Sequence, residues 1–515
     1  MIPGGDTCVR NDIEVEPSGQ RGLRRSGTDT LESKRRRMSA TPPIIVWFRQ
    51  DLRLADNPAL REAAASGAPL LAVYILDDAG AGDWPRGGAS RWWLHHSLAA
   101  LGADLAAAGV PLVLRRGPAA TELDDLIGAS GASGVFWNRC YEPAIRARDE
   151  AIKAGLERRG LQARSFNGGL LFEPWTVTTQ AGLPFKVYTP FAKACRAAPE
   201  PALPLPAPKL PAGRLATVPR GPGLDDLGLL PRKPDWAGGL RAAWRPGEAG
   251  AQDRLARFMA AAVEGYRDDR NRPDLQSTSR LSAHLHFGEI SPRQLWHAAR
   301  ARGGRGAEHF VSELLWREFS YHLLFHFPEL PARNWRPAFD AFPWADDPAA
   351  LAAWQRGRTG YPIVDAGMRE LWTTGWMHNR VRMVAGSFLV KDLMLPWQQG
   401  EAWFWDTLVD ADLANNAASW QWVAGCGADA APYFRVFNPV LQGEKFDPAG
   451  DYVRRFVPEL ARLPASVIHR PWEADAATLR QAGIELGRDY PRPIVDHGKA
   501  RDRALAAFAT IKQGA

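Results

Sequence analysis

The 515 residues carry 64 Lys and Arg against 57 Asp and Glu, a net charge of +7 and a pI near 9.3, with 45% hydrophobic and 23% charged residues. This is a soluble, globular composition too long for one ordinary core, so two domains plus linkers are expected, and the positive balance fits a polyanion such as nucleic acid. Four scattered cysteines, Cys8, Cys140, Cys195 and Cys426, include no C-x-x-C pair; this argues against a zinc ribbon or disulfide framework and for a reducing, cytoplasmic setting, and no apolar run reaches the ~18 residues of a membrane span.

Residues 1–42 are polar, include the basic run Lys34-Arg35-Arg36-Arg37 and lack the apolar segment of a secretory signal. They are expected to be a disordered extension, and the basic run fits a nucleic-acid arm, an import signal or an upstream-extended start ahead of Met38. Residues 43–175 then alternate short apolar runs with amphipathic helices: Ile44–Phe48, a helix from Asn57, Pro69–Leu76, a helix through Arg91–Ala108, Pro111–Leu114, a helix from Ala119, Val135–Trp137, and the helix Ile145–Arg159. That pattern predicts an α/β domain with a parallel sheet covered on both faces, which binds ligands beyond the carboxyl ends of its strands. On their own, Arg49 and Arg53 read as surface charges.

Residues 176–250 are assigned to an interdomain linker, dense in Pro, Ala and Gly from about 196 and wrapping the surface. From 251 to 510 the 3- and 4-residue apolar spacing, as in Leu255-Phe258-Met259 and Phe310-Leu314-Leu315, predicts an all-α domain. Within it, Gln276–Ser282 places hydroxyls and Arg280 before a helix, a pattern that holds a phosphate or simply caps the helix. Of 21 tryptophans, 11 fall between Trp316 and Trp422, more indoles than packing needs, and stacking on a flat ligand or carrying electrons would use them.

The densest stretch is Asp410–Trp422, with two acids, an amide pair and two tryptophans in thirteen residues. Carboxylates so close to aromatic bulk need partners if buried, and Arg380 and Arg382 are candidates. Spacing alone leaves open a helical hairpin with a structural ion pair.

Gly375–Met383, Asp410–Trp422 and Pro432–Asn438 with Gln442–Asp447, in register over more than 70 residues, resemble the flavin-binding half of the photolyase/cryptochrome family. Trp47–Leu54 with Asp56–Leu60 resembles its antenna-domain signature. The resemblance covers about residues 43 to 510 and implies an FAD-dependent, blue-light-driven repair enzyme for cyclobutane pyrimidine dimers in UV-damaged DNA, monomeric and without a metal.

The same resemblance implies FAD contacts from Tyr266, Thr278, Ser279, Arg280, Leu281, Ser282, Arg317, Trp376, Arg382, Asp410, Ala411, Asp412 and Asn416. Arg382, fixed by Asp410, would compensate an anionic reduced flavin, Asp412 would lie near its polar edge, and Asn416 would face N5. Trp420, Trp397 and Trp344 match the electron relay, with Trp344 at the surface. Glu313 matches the dimer-binding acid, Trp316 and Trp422 an aromatic wall, and Asn379 and Met383 the rest of the pocket, while Arg270, Arg380 and Arg435 would meet phosphates.

Where animal-type enzymes for the (6–4) photoproduct carry two histidines, only His378 stands here. The Asn-Glu pair that holds folate in some members is replaced by Ala144 and Ile145, so folate held in another way, a deazaflavin or no antenna pigment stay open. The rival reading is a cryptochrome-type photoreceptor, against which stand the complete pocket, the amide at 416 where plant-type receptors carry an acid, and no long tail after the flavin domain.

Overall fold

Five β-rich runs form one fully parallel sheet in the order β3-β2-β1-β4-β5: β1 Ile44–Phe48, β2 Leu70–Leu76, β3 Leu112–Arg116, β4 Gly134–Asn138 and β5 Gln162–Phe166. The computed structural model describes residues 41–513 apart from 212, 214, 216 and 431–433; the expectation for residues 1–40 lies outside them, as do Pro432 and Tyr433. Every residue of β1 is buried, and successive side chains enter opposite layers: Ile44, Val46 and Phe48 join one apolar cluster, Ile45 and Trp47 another. The alternation in the sequence is thus a two-faced sheet. Strand order reverses between β1 and β4, and it is in the crevice beyond the carboxyl ends at such a switch point that open α/β sheets generally bind ligands.

Two expectations need correction. β5 was not foreseen: it is an edge strand in which only Ala163 is buried, so it lacks the apolar run that marked the others. The assigned linker 176–250 contains a helix, Tyr188–Ala197, whose buried Phe191, Ala192 and Cys195 share one face. Phe191 packs on Phe319 with ring centroids 5.3 Å apart, and dense proline on the C-terminal side hid this short helix. Gly238–Ala243 and the start of Glu248–Arg257 are also helical; the Pro-rich stretch from Pro199 to Pro211 is irregular as expected.

The remainder is helical. The helices that matter for the site are Pro292–Arg302, Gly304–His326, Pro362–Thr374, Asn379–Ser387, Trp397–Thr407 and Leu413–Ala424. Asn379–Ser387 runs on into a π-helical turn, Phe388–Asp392, a device common near functional sites. Among the described residues no helix is long and apolar enough to cross a membrane.

A polar seam ties the sheet to the helices. Arg53, expected at the surface, is 1% exposed and donates to the carbonyls of Asp56 and Gly168, both at 2.7 Å, and of Gly288 at 2.8 Å. Asp56 is fully buried and accepts from Arg293 at 2.7 and 3.1 Å, from Ser291 Oγ at 2.5 Å and from Leu205 N at 2.9 Å. Arg49 is buried too, donating to Asp149 at 2.5 Å and lying 4.4 Å over the Trp47 ring. A buried guanidinium is tolerable because so many of its donors find acceptors; a sequence window shows the charge but not these distant carbonyls. Gly288 makes the seam possible, because it has φ +64° and a Cβ there would stand 2.0 Å from the Gln50 carbonyl oxygen.

Gly288→Ala should therefore lower the stability of residues 42–515 by about 1–3 kcal/mol from backbone strain alone, and more if the seam opens. The check is the denaturant midpoint; an unchanged midpoint would show that the seam is not a constraint.

Candidate functional site

The helices Trp397–Thr407 and Leu413–Ala424 pack as an antiparallel hairpin, and the site is built on their seam. Asp412 caps the second helix: its Oδ1 accepts from Asn415 N at 2.9 Å and from Asn415 Nδ2 at 2.7 Å. Asn416 and Trp420 follow at four-residue steps and so share a face. Asn416 donates from Nδ2 to the Glu401 carbonyl at 3.1 Å, which leaves its Oδ1 as an acceptor on the other side. Gly400 lets the helices close, since a Cβ there would lie 2.2 Å from the Trp420 ring.

Asp412 is buried, and burial pushes its carboxyl up; contacts with His286 Nδ1 at 3.6 Å, with Arg317 and with the Tyr321 hydroxyl outweigh this and hold it well below the usual carboxylate range. Asp410 receives Arg382 Nη2 at 3.0 and 2.9 Å, while Arg382 Nε donates to the Met377 carbonyl at 2.8 Å. The expected Arg382–Asp410 pair is present, and the second donor fixes the guanidinium in orientation as well as position. Ala411 between the two acids is buried.

The block 276–282 meets this seam through Arg280. Its backbone has φ +51°, uncommon for a residue with a Cβ. Its guanidinium lies 4.5 Å from the Trp376 ring and 4.7 Å from the Trp244 ring, and its buried Nε has no partner. Leu281 is buried, Ser279 Oγ accepts from Leu281 N at 3.4 Å, and Thr278 and Ser282 are more open. Tyr266 is buried beside Phe258 and Phe310, with its hydroxyl pushed up to about 12 by burial and by Glu313.

These residues fit FAD. A strained, desolvated arginine with an idle Nε beside two hydroxyls suits a diphosphate. His378 Nδ1 accepts from Arg380 N at 3.2 Å while its buried Nε2 lacks a partner, and the Asn416 Oδ1 and Arg382 groups suit the polar edge of a ring. Arg317 is placed apart from this set: it pairs with Glu318 at 3.0 Å, lies 4.8 Å over Tyr321, and lines a crevice between sheet and helices with Arg53, Arg139 and Tyr141. It acts on this set through the charge of Asp412.

Glu313 and Arg270, expected to serve different parts of a substrate, form a 2.7 Å ion pair, and His309 adds contacts to Glu313 at 3.6 Å and Arg270 at 3.2 Å. Burial raises the Glu313 carboxyl and Arg270 lowers it, with burial prevailing. Arg380 donates to Asn271 Oδ1 at 2.7 Å, and its guanidinium is lowered by burial and by the nearby charges of Arg270 and Arg435. The three arginines predicted to meet phosphates therefore form one cationic group.

Trp316 is half-buried and one face is covered by Tyr188, stacked at 3.6 Å and 6°. Only its other face can serve as a wall. Trp422 is half-buried with its indole donating to the Asp429 carbonyl at 3.2 Å, Asn379 is exposed and Met383 half-buried. Trp420, Trp397 and the half-buried Trp344 share one apolar cluster, with Trp397 donating to Asn334 Oδ1 at 2.8 Å. Tyr188, Gly400 and Glu401 were missed: Tyr188 sat in the assigned linker, and nothing local marks the other two.

A family model described as DNA photolyase matches residues 44–209, and one described as the FAD binding domain of DNA photolyase matches residues 310–510. The chain is 54% identical to the deoxyribodipyrimidine photo-lyase of Agrobacterium fabrum, covering 92% of this chain and 99% of that protein. It is 41% identical to cryptochrome-1 of Arabidopsis thaliana over 91% of this chain and 70% of that one. The crystal structure of a bacterial class III photolyase from Agrobacterium tumefaciens superposes with a TM-score of 0.89 at 54% identity, covering 92% of this chain and 98% of that chain.

His378 gives a pH prediction. Burial, helped by Arg380, Arg270 and Arg382, holds its imidazole down to about 3, against 6.5 ordinarily. The unfolded chain binds this proton more tightly, so stability should fall as pH drops through 6.5 and keep falling to about 3. His378→Asn, which keeps a helix-capping acceptor, should flatten that slope by up to one proton in unfolding curves taken across the window; an unchanged slope would mean the imidazole titrates normally.

Proposed function

The chain belongs to the DNA photolyase and cryptochrome family, and on that premise we propose that it repairs cyclobutane pyrimidine dimers in UV-damaged DNA as an FAD-dependent, blue-light-driven deoxyribodipyrimidine photolyase. The observation that carries the reading is the joining of two sets of residues: the helix-capping acid and the amide on the hairpin with the Asp410-fixed Arg382 of Asn379–Ser387 beside them, and the Arg270–Glu313 pair, whose Glu313 lies on Gly304–His326, the helix packed against the hairpin. When bound and fully reduced, FAD supplies one electron to the dimer on absorbing blue light and takes it back after the ring opens.

The chain's own residues position and tune. Arg382, fixed by Asp410 and the Met377 carbonyl, would hold a pre-oriented positive charge for the flavin. Asn416 would offer Oδ1 to the N5 edge, an acceptor that adds no charge. Arg280, Thr278, Ser279 and Ser282 would hold the diphosphate, with Tyr266, Leu281 and Trp376 around it, Ala411 and Asp412 at the ring and Arg317 supporting Asp412. Trp420, Trp397 and Trp344 would carry electrons in from the surface.

On the substrate side, Glu313 would accept hydrogen bonds from the dimer while Arg270 keeps its carboxyl oriented. Trp422, Asn379, Met383 and the uncovered face of Trp316 would enclose bases flipped out of the duplex. Arg270, Arg380 and Arg435 would give sequence-independent, salt-sensitive phosphate affinity. A neutral His378 has an unpartnered Nε2 but is a poor acid near neutral pH, which disfavours the (6–4) photoproduct. If a light-harvesting chromophore, folate or deazaflavin, is bound, the crevice lined by Trp47, Tyr74 and Arg148 would suit it. The flavin domain is read as 251–510 and the antenna domain as 43–175, in a monomer; buried free thiols at Cys140, Cys195 and Cys426 support a cytoplasmic setting.

The reduced flavoprotein should restore an oligonucleotide carrying one thymine dimer in blue light and not in the dark. Glu313→Ala should bind or repair it roughly tenfold less well, the loss expected for a hydrogen bond to a charged group. Trp397→Phe should repair normally once chemically reduced but fail to reduce its own flavin in light. A flavin that photoreduces while the dimer persists would replace this reading with the photoreceptor one.

A further inference from the structure

Glu401 is a buried acid that none of these roles uses. It is 0% exposed, and neither carboxyl oxygen has a hydrogen-bond partner. Burial alone shifts this group, well above the ordinary carboxyl range, with no cation offsetting it. A lone buried carboxylate is very costly, whereas the neutral acid is tolerable. Burial without a partner therefore favours the protonated acid over the carboxylate.

Its position gives that proton a use. On Trp397–Thr407, Glu401 is four residues after Trp397 and three before Phe404, whose ring lies 4.9 Å from that of Trp420. Its own carbonyl accepts from Asn416, and the neighbouring Gly400 abuts the Trp420 ring. Trp397 and Trp420 belong to the same apolar cluster. This uncompensated acid thus belongs to the residue whose carbonyl holds the Asn416 amide, on the helix that carries Trp397 and packs on Trp420.

We propose that Glu401 is the internal proton donor for flavin photoreduction, giving its carboxyl proton to the ring nitrogen that Asn416 faces when an electron arrives through Trp420. The inference rests on the photoreduction reading above. One electron leaves the Trp420 indole for the flavin, the Glu401 O–H bond breaks, and the proton goes to the ring nitrogen, leaving a carboxylate. The electron vacancy passes to Trp397 and Trp344, where an external thiol fills it. The stranded carboxylate then recovers a proton from water, driven by the same burial. An acid tuned upward toward the working pH is suited to this, because it holds its proton until a base of matching strength forms.

The test is light-minus-dark infrared spectroscopy of the FAD-loaded protein in H2O and D2O, alongside Glu401→Gln. A protonated-carboxyl C=O band should be present in the dark, bleach as the flavin takes up its proton, and be absent from the variant. In the variant the electron should still arrive, but flavin protonation should slow by roughly 100-fold or more. A wild type that photoreduces with its carboxyl band unchanged, or a variant that protonates the flavin at the wild-type rate, overturns the inference alone. A wild-type flavin that stays oxidised in light overturns the photoreduction reading and this inference together. An independent readout is stability: the folded chain holds the Glu401 proton and the unfolded chain releases it, so the wild type should lose stability as pH rises above the ordinary carboxyl value. Glu401→Gln should lose less, and parallel curves would show an ordinary, ionised carboxylate.

Discussion

The carboxylate of Asp412 is the constraint on which the rest of the site depends. One oxygen caps the Leu413–Ala424 helix and sets its phase, so Asn416 and Trp420 emerge one and two turns later on a fixed face. The other meets the Tyr321 hydroxyl on Gly304–His326 and His286 at 3.6 Å. A single buried charge thereby joins three chain segments distant in sequence. Such a charge costs several kcal/mol to desolvate, and the contacts that offset the cost are the ones that aim the helix. Removing any of them would disturb the site before it disturbed the fold.

The same logic recurs where sheet meets helices. Arg53 and Asp56 are placed where the backbone carbonyls of Gly168 and Gly288 and the side chains of Ser291 and Arg293 converge. Apolar packing is non-directional and tolerates small slips. A guanidinium that must find three carbonyls at once does not. The two kinds of burial divide the labour: Trp, Phe and Leu supply cohesion, and the polar seams supply register.

Legibility followed the range of the interactions. Strands β1 to β4 and the hairpin could be read because their signals are local: apolar runs and spacing. The pairing of Arg382 with Asp410 came from the family resemblance, because the residues alone left Arg380 and Arg382 equally open as partners. β5 was invisible because an edge strand needs little apolar surface, and the Tyr188–Ala197 helix because proline masked a single buried face. Tyr188 against Trp316, Arg53 against Gly288, and Gly400 against Trp420 are contacts between distant segments. Each is a demand made by a neighbour that no window of sequence contains. For the same reason Arg270 and Glu313 were given separate tasks, although they form one pair.

Two acids at this seam show how one fold prepares opposite chemistries. Asp412 has hydroxyl, imidazole and guanidinium neighbours and stays ionised well below the usual range; Glu401, on the facing helix, has none and is driven the other way by burial. Environments that push like groups apart separate fixed charge from mobile proton. Were both ionised, two negative charges would crowd the ring that Arg382 must compensate. Were both neutral, the Leu413–Ala424 helix would lose its charged cap and Arg317 a counterion. The asymmetry lets the site hold its geometry with one carboxyl while leaving a proton on the other. It comes from which residues lie across from each acid, since the side chains differ by one methylene.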